Sequence, residues 1–98
     1  MLFKFGYVLA PKQIVEKKMP VGFMYRETPD NSQDSGWRFF SGTESDEYVN
    51  DPDNIGIYDV HTIIKIDPSV KPYLSNRAGS AFERSENGKS FVAVDMDI

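Results

Sequence analysis

Apolar and polar residues alternate with period two in several short stretches, each bounded by Gly, Pro, Asn or Asp, which predicts strands separated by turns. The clearest is Val21–Arg26, where Val21, Phe23 and Tyr25 share one face and Gly22, Met24 and Arg26 the other. Gly6–Ala10 reads as a short strand, and Trp37–Ser41 as an aromatic-rich one. The polar run Thr28–Ser35, with Pro29, Asp30, Asn31 and Asp34, makes a long loop between two antiparallel strands. Ile55–Tyr58, Ser80–Arg84 and Ser90–Asp95 complete the set, the last two joined through Glu86-Asn87-Gly88, whose Asn-Gly pair accepts the positive φ of a hairpin turn.

Between these strands the period lengthens. Pro11 suits the first position of a helix over Lys12–Lys18, because its missing N–H has no partner there, and Pro20 ends that helix. Thr43 is placed to cap a helix through Glu44–Val49, whose acids complement the positive end of the helix dipole, and Asp51-Pro52-Asp53-Asn54 closes it. Asp59 is the expected N-cap of a helix Val60–Ile66, with Val60, Ile63 and Ile64 on one side, and Pro68 and Pro72 bound a further helical turn. Five or six strands with two or three short helices predict an α+β fold, a largely antiparallel sheet with the helices packed on one face. The expected core is Val8, Val21, Phe23, Tyr25, Trp37, Phe39, Ile55, Ile57, Ile63, Leu74, Phe82, Val92 and Val94.

A chain of 98 residues fits one domain, and 40% hydrophobic residues with 7 Phe, 5 Tyr and 1 Trp exceed what a disordered chain carries. The absence of Cys excludes disulfides, thiolate nucleophiles and Cys-ligated metals, and fits a reducing cytosol. No apolar run approaches the ~20 residues that span a bilayer, and Met1–Ala10 lacks the apolar core of a signal peptide, so the reading is cytoplasmic. A net charge of −4 argues against nucleic acid and against an anionic membrane as partners. That charge is segregated: Glu27 to Asp59 holds nine acids (Glu27, Asp30, Asp34, Glu44, Asp46, Glu47, Asp51, Asp53, Asp59) against Arg38 alone.

Candidate chemistry is sparse. His61 is the single residue whose ordinary pKa lies near neutrality, and as a helix-surface residue it needs no chemical role. No Ser nucleophile motif and no phosphate-binding loop is present, so the chain is read as non-enzymatic. Asp30, Ser32 and Asp34 have the opening spacing of a calcium loop, as do Asp51 and Asp53. Both runs fail further on, with Ser35 where Gly is required and Ser41 or Thr62 where a bidentate Glu is required. No cofactor is indicated. The acidic window, interspersed with Trp37, Tyr48 and Tyr58, is either a solvated face or a docking surface with steering charge and aromatic anchors.

Four blocks carry a family resemblance: Pro20–Glu27 (PVGFMYRE), Asp34–Gly42 (DSGWRFFSG), Asn50–Asp59 (NDPDNIGIYD) and Gly79–Arg84 (GSAFER). Together they resemble a small bacterial family of domains of unknown function that is grouped with immunity proteins of polymorphic toxin systems. The resemblance runs from Val8 to Val94 and brings no catalytic residues with it. It implies a protein that docks on a cognate toxin and occludes it. The partner would be a protein such as a basic toxin domain, with Asp30, Asp34, Glu44, Asp46, Glu47, Asp51 and Asp53 as complementary charge. Trp37 or Tyr48 would be anchors if exposed. The alternative is a small regulatory or ligand-binding domain whose acidic loops hold a metal or small cationic ligand.

Overall fold

The structure is a computed structural model that describes residues 6–95; the Met1–Ala10 stretch weighed above as a signal peptide lies partly outside them. Six strands form one sheet in the order β4-β1-β3-β2-β5-β6. They are β1 (Tyr7–Pro11), β2 (Phe23–Arg26), β3 (Asp34–Phe40), β4 (Ile55–Asp59), β5 (Ala81–Arg84) and β6 (Phe91–Val94). Among the described strands only the β1–β3 pair is parallel. Three α-helices, α1 (Lys12–Lys17), α2 (Asp46–Asn50) and α3 (Val60–Ile66), and 3-10 segments at Pro52–Asn54 and Pro68–Tyr73 complete the α+β architecture.

Local signals act largely as the sequence predicts. Pro11 closes β1 and is the N-cap of α1, which ends where Lys18 takes a left-handed conformation (φ 52°) and donates its N–H to the Ile14 carbonyl. Asp59 ends β4 and caps α3, accepting the His61 N–H at 2.8 Å. The N-cap of α2 is Ser45, not Thr43: its Oγ accepts the Tyr48 N–H. Glu44 folds back instead, its carboxylate accepting the N–H groups of Ser41 and Gly42, so that it braces the turn leaving β3.

The sheet is covered on one face. Val8, Met24, Trp37, Phe39 and Phe82 point toward Ile14 of α1, Val60 and Ile63 of α3, and Val70 and Leu74, and these side chains are buried. Each fully buried side chain of this size contributes roughly 1.5–3 kcal/mol. Trp37 lies at the centre with its indole N–H donated to the Leu74 carbonyl at 3.1 Å, so its one polar group is satisfied. Asp67 fastens the helical layer to the sheet: its carboxylate accepts the Val21 N–H at 2.9 Å and pairs with Arg84.

Strand register assigns six of the expected core residues to the opposite face. Phe23 and Tyr25 pair across β2–β3 with Phe40 and Arg38, while Met24 and Arg26 pair with Phe39 and Trp37 on the helical side. In β4, Ile55 and Ile57 lie opposite Pro11 and Leu9; in β6, Val92 and Val94 lie opposite Glu83 and Ala81. Phe23, Tyr25, Ile55, Ile57, Val92 and Val94 are therefore not core. Ile57 is 66% exposed and Val92 46%. Two aromatic groups reflect the two faces: Trp37 stacks with Phe39 and Phe82 on the covered side, and on the other Tyr25 stacks with Phe40 and lies tilted against Phe23.

At the centre of the uncovered face Arg38 is buried, its guanidinium donating to Asp34 at 2.9 and 2.8 Å and to Glu27 at 2.6 Å. Regular strand geometry separates residues four apart by about 13 Å. Here the span from Asp34 to Arg38 stands opposite only Tyr7 to Leu9 of β1, a bulge with Gly36 in a positive-φ conformation (φ 89°). A Cβ at Gly36 would fall on the Glu27 carbonyl oxygen. The bulge brings the ion pair together.

Hydrogen bonds from Arg38 hold the Asp34 carboxyl well below the usual carboxylate range against the opposing effect of burial, with help from the Asp30 and Gly36 N–H groups. For Asp67 burial pushes upward, but bonds from Ser69, the Val21 N–H and Arg84 carry the net shift downward. A carboxylate depressed in the folded state adds stability above its unfolded pKa and loses it as pH falls through the folded value. The melting temperature is therefore expected to hold from neutrality down to about pH 5 and to fall steadily below about pH 4. Asp34→Asn should flatten that acid limb in a pH series of thermal melts. Arg38→Met, which strands a buried Asp34 carboxylate, should cost about 3–5 kcal/mol in urea unfolding.

Candidate functional site

The acidic window divides into carboxylates that the fold consumes and carboxylates that it leaves in solvent. Asp34 is consumed, buried against Arg38 and also accepting the N–H groups of Asp30 and Gly36. Glu44 is half-buried and occupied with Ser41 and Gly42; burial pushes its pKa up, but these bonds bring it below the ordinary value. Asp30, Asp46, Glu47, Asp51 and Asp53 are exposed. Asp46 and Glu47 form the first turn of α2, and Asp51 caps the 3-10 turn at Pro52 by accepting the Asp53 N–H.

These groups do not converge on one point. Asp30 lies in the β2–β3 loop, whereas Asp46, Glu47, Asp51 and Asp53 lie in the segment between β3 and β4 that leads into Ile55. Since β3 and β4 flank β1 and run antiparallel to each other, the two acidic loops sit at opposite ends of the sheet. Among the described residues no group of three or more His, Asp or Glu is placed to hold a metal ion.

Neither proposed aromatic anchor is free. Trp37 is fully buried and fails the condition of exposure. Tyr48 is half-buried, its hydroxyl accepting the Gln13 N–H at 3.3 Å and tying α2 to the start of α1. His61 is exposed, with Nδ1 2.8 Å from Asp59 Oδ1. Hydrogen bonds from the His61 backbone and ring hold Asp59 below its ordinary pKa, and the same oxygen caps α3, so the pair acts in the helix start.

On the uncovered sheet face stand Ile57, Leu9, Tyr25 and Val94 in one row and Ile55, Phe40, Phe23 and Val92 in the next; Ile57 and Val92, on the two edge strands, are exposed and the other six are half-buried. Where β1 and β4 meet, that face borders an open cavity of about 220 Å³ lined by Gly6, Tyr7, Gln33, Ile57, Tyr58 and Asp59. Sequence reasoning missed this surface because it assigned six of these residues, all but Leu9 and Phe40, to the core. The available signal was that β2 and β6 are apolar on both faces while a few short helices can cover only one.

The chain was compared with known proteins. The sequence model described as the immunity protein Imm33 domain matches residues 8–95. No curated protein and no solved structure matches. Among the described residues no helix is long and apolar enough to cross a membrane.

The scattered carboxylates bear on the cation-binding reading. Millimolar calcium or magnesium should leave the melting temperature unchanged, because an ion that binds the native state selectively must raise it. A rise that scales with ion concentration would restore that reading.

Proposed function

The chain belongs to the immunity protein Imm33 domain family, and on that premise we propose that it binds a cognate protein toxin in the cytoplasm and blocks it by occlusion, without catalysis. The family match over residues 8–95 carries this reading. The site geometry adds to it. Exposed carboxylates of Asp30, Asp46, Glu47, Asp51 and Asp53 are free of internal ion pairs among the described residues and can steer a basic partner. Asp34, Glu44, Trp37 and Tyr48 support the surface from within, since each spends its polar groups on the fold.

An occluding protein needs no nucleophile, base or metal; it needs a surface that fits its partner and a charge pattern that accelerates encounter. A toxin with a basic substrate groove, as a nuclease would have, fits that pattern best. Co-expression with the toxin domain encoded beside its gene should restore growth to cells that the toxin alone arrests. Reversing Asp46, Glu47 and Asp53 to Lys together should slow association by roughly tenfold at low salt and flatten its salt dependence, measured by stopped-flow, with little change in melting temperature. Failure of the wild-type chain to rescue growth or to bind that toxin would contradict the proposal.

A further inference from the structure

We infer that the uncovered face of the sheet is the docking surface itself, and that its partner is a protein presenting apolar side chains ringed by Lys or Arg, one of which enters the cavity between β1 and β4. This rests on the immunity reading and names the surface that would carry it.

The face is largely apolar, with Ile57 and Val92 exposed on its two edge strands. Leu9, Phe23, Tyr25, Phe40, Ile55, Ile57, Val92 and Val94 stand on it, and none of them packs against the helix-covered core among the described residues. Alternation in a one-sided sheet ordinarily places polar residues toward water. A patch of this kind on a soluble domain marks an interaction site. Its one central charge is already neutralised, since Arg38 is shared between Asp34 and Glu27. A partner can therefore cover the centre without stranding an ion.

Size and anatomy agree. Six strands spaced about 4.8 Å apart and about five residues long give a flat area of roughly 450 Å². A standard interface takes about 800 Å² from each partner. The acidic loops at the two ends of the sheet supply the remainder, and they make a polar rim around an apolar centre.

The charge pattern selects the occupant. Carboxylates stand on the face at Glu83, between Phe23 and Val92, and at its border at Glu27 and Asp59, while exposed Lys65 lies on the opposite layer, where Lys18 and Lys65 line a groove between α1 and α3. Two copies meeting face to face would oppose like charges. Two copies meeting face to back would leave open ends and grow without closure. A distinct basic protein satisfies the face in a closed pair. The cavity refines the match: Tyr7, Ile57 and Tyr58 line it for the aliphatic stem of a Lys or Arg, and the partly exposed Asp59 carboxylate is there for its charge.

The test is affinity for the toxin domain encoded beside the gene, by calorimetry, for the wild type, Ile57→Lys, Val92→Lys and Lys65→Glu. Both Lys variants alter exposed side chains and should melt as the wild type does. Ile57→Lys should weaken binding roughly 30-fold or more, Val92→Lys by less, and Lys65→Glu not at all. Wild-type binding that neither Ile57→Lys nor Val92→Lys disturbs would overturn this inference and leave the immunity reading standing. No binding by the wild type would overturn both. Sedimentation of the chain alone should give a monomer, and self-association abolished by Ile57→Lys would assign the face to a second copy.

Discussion

A cationic side chain in the middle of a sheet has to be neutralised where it stands, and the Arg38 guanidinium imposes that requirement on the rest of the structure. Arg38 lies on the central strand β3, and its partners Asp34 and Glu27 come from the start of that strand and the end of β2. Bringing Asp34 within reach requires the bulge at Gly36, and the bulge sets the register between β3 and β1. The same Asp34 carboxylate accepts the Asp30 N–H and so fixes the loop that carries one of the exposed acids. One ion pair thus ties sheet register, loop conformation and surface charge together.

The second organising fact is the shortage of covering structure. α1, α3 and the 3-10 segment at Pro68–Tyr73 cover one face of six strands, and Trp37 fills the centre of that layer. Asp67, bonded to the Val21 N–H and to Arg84, locks the layer down. Nothing remains among the described elements to cover the other side, yet that side carries Phe, Tyr, Ile, Leu and Val around Arg38 and Glu83. For a chain of the immunity protein Imm33 domain family, a largely apolar face bounded by acidic loops is a surface suited to a protein partner.

Much of the architecture was legible in the chain. Pro11, Pro20, Asp59 and Asn87-Gly88 punctuate it at or near the observed boundaries, because capping and turn chemistry act over a few residues. The face assignment was less accessible. Alternation states which residues share a side, as Phe23 and Tyr25 do, but not which side meets the helices, and that choice depends on long-range pairing. The early start of β3 was hidden for a related reason: Asp34, Ser35 and Gly36 read as turn residues until the bulge and Arg38 give them a place in the strand. The acidic window was visible as composition, but its division into consumed and exposed carboxylates follows from hydrogen bonds that no linear pattern displays.

The central claim is that the uncovered sheet face is the one that meets the partner. Hydrogen–deuterium exchange of the chain alone and in complex with a cognate toxin domain tests it most directly. The account predicts that protection on binding falls on β4 and β1, at the edge where Ile57 and the cavity lie, with α1 and α3 unchanged. Protection confined to α1 and α3, with β4 exchanging as in the free protein, would contradict it.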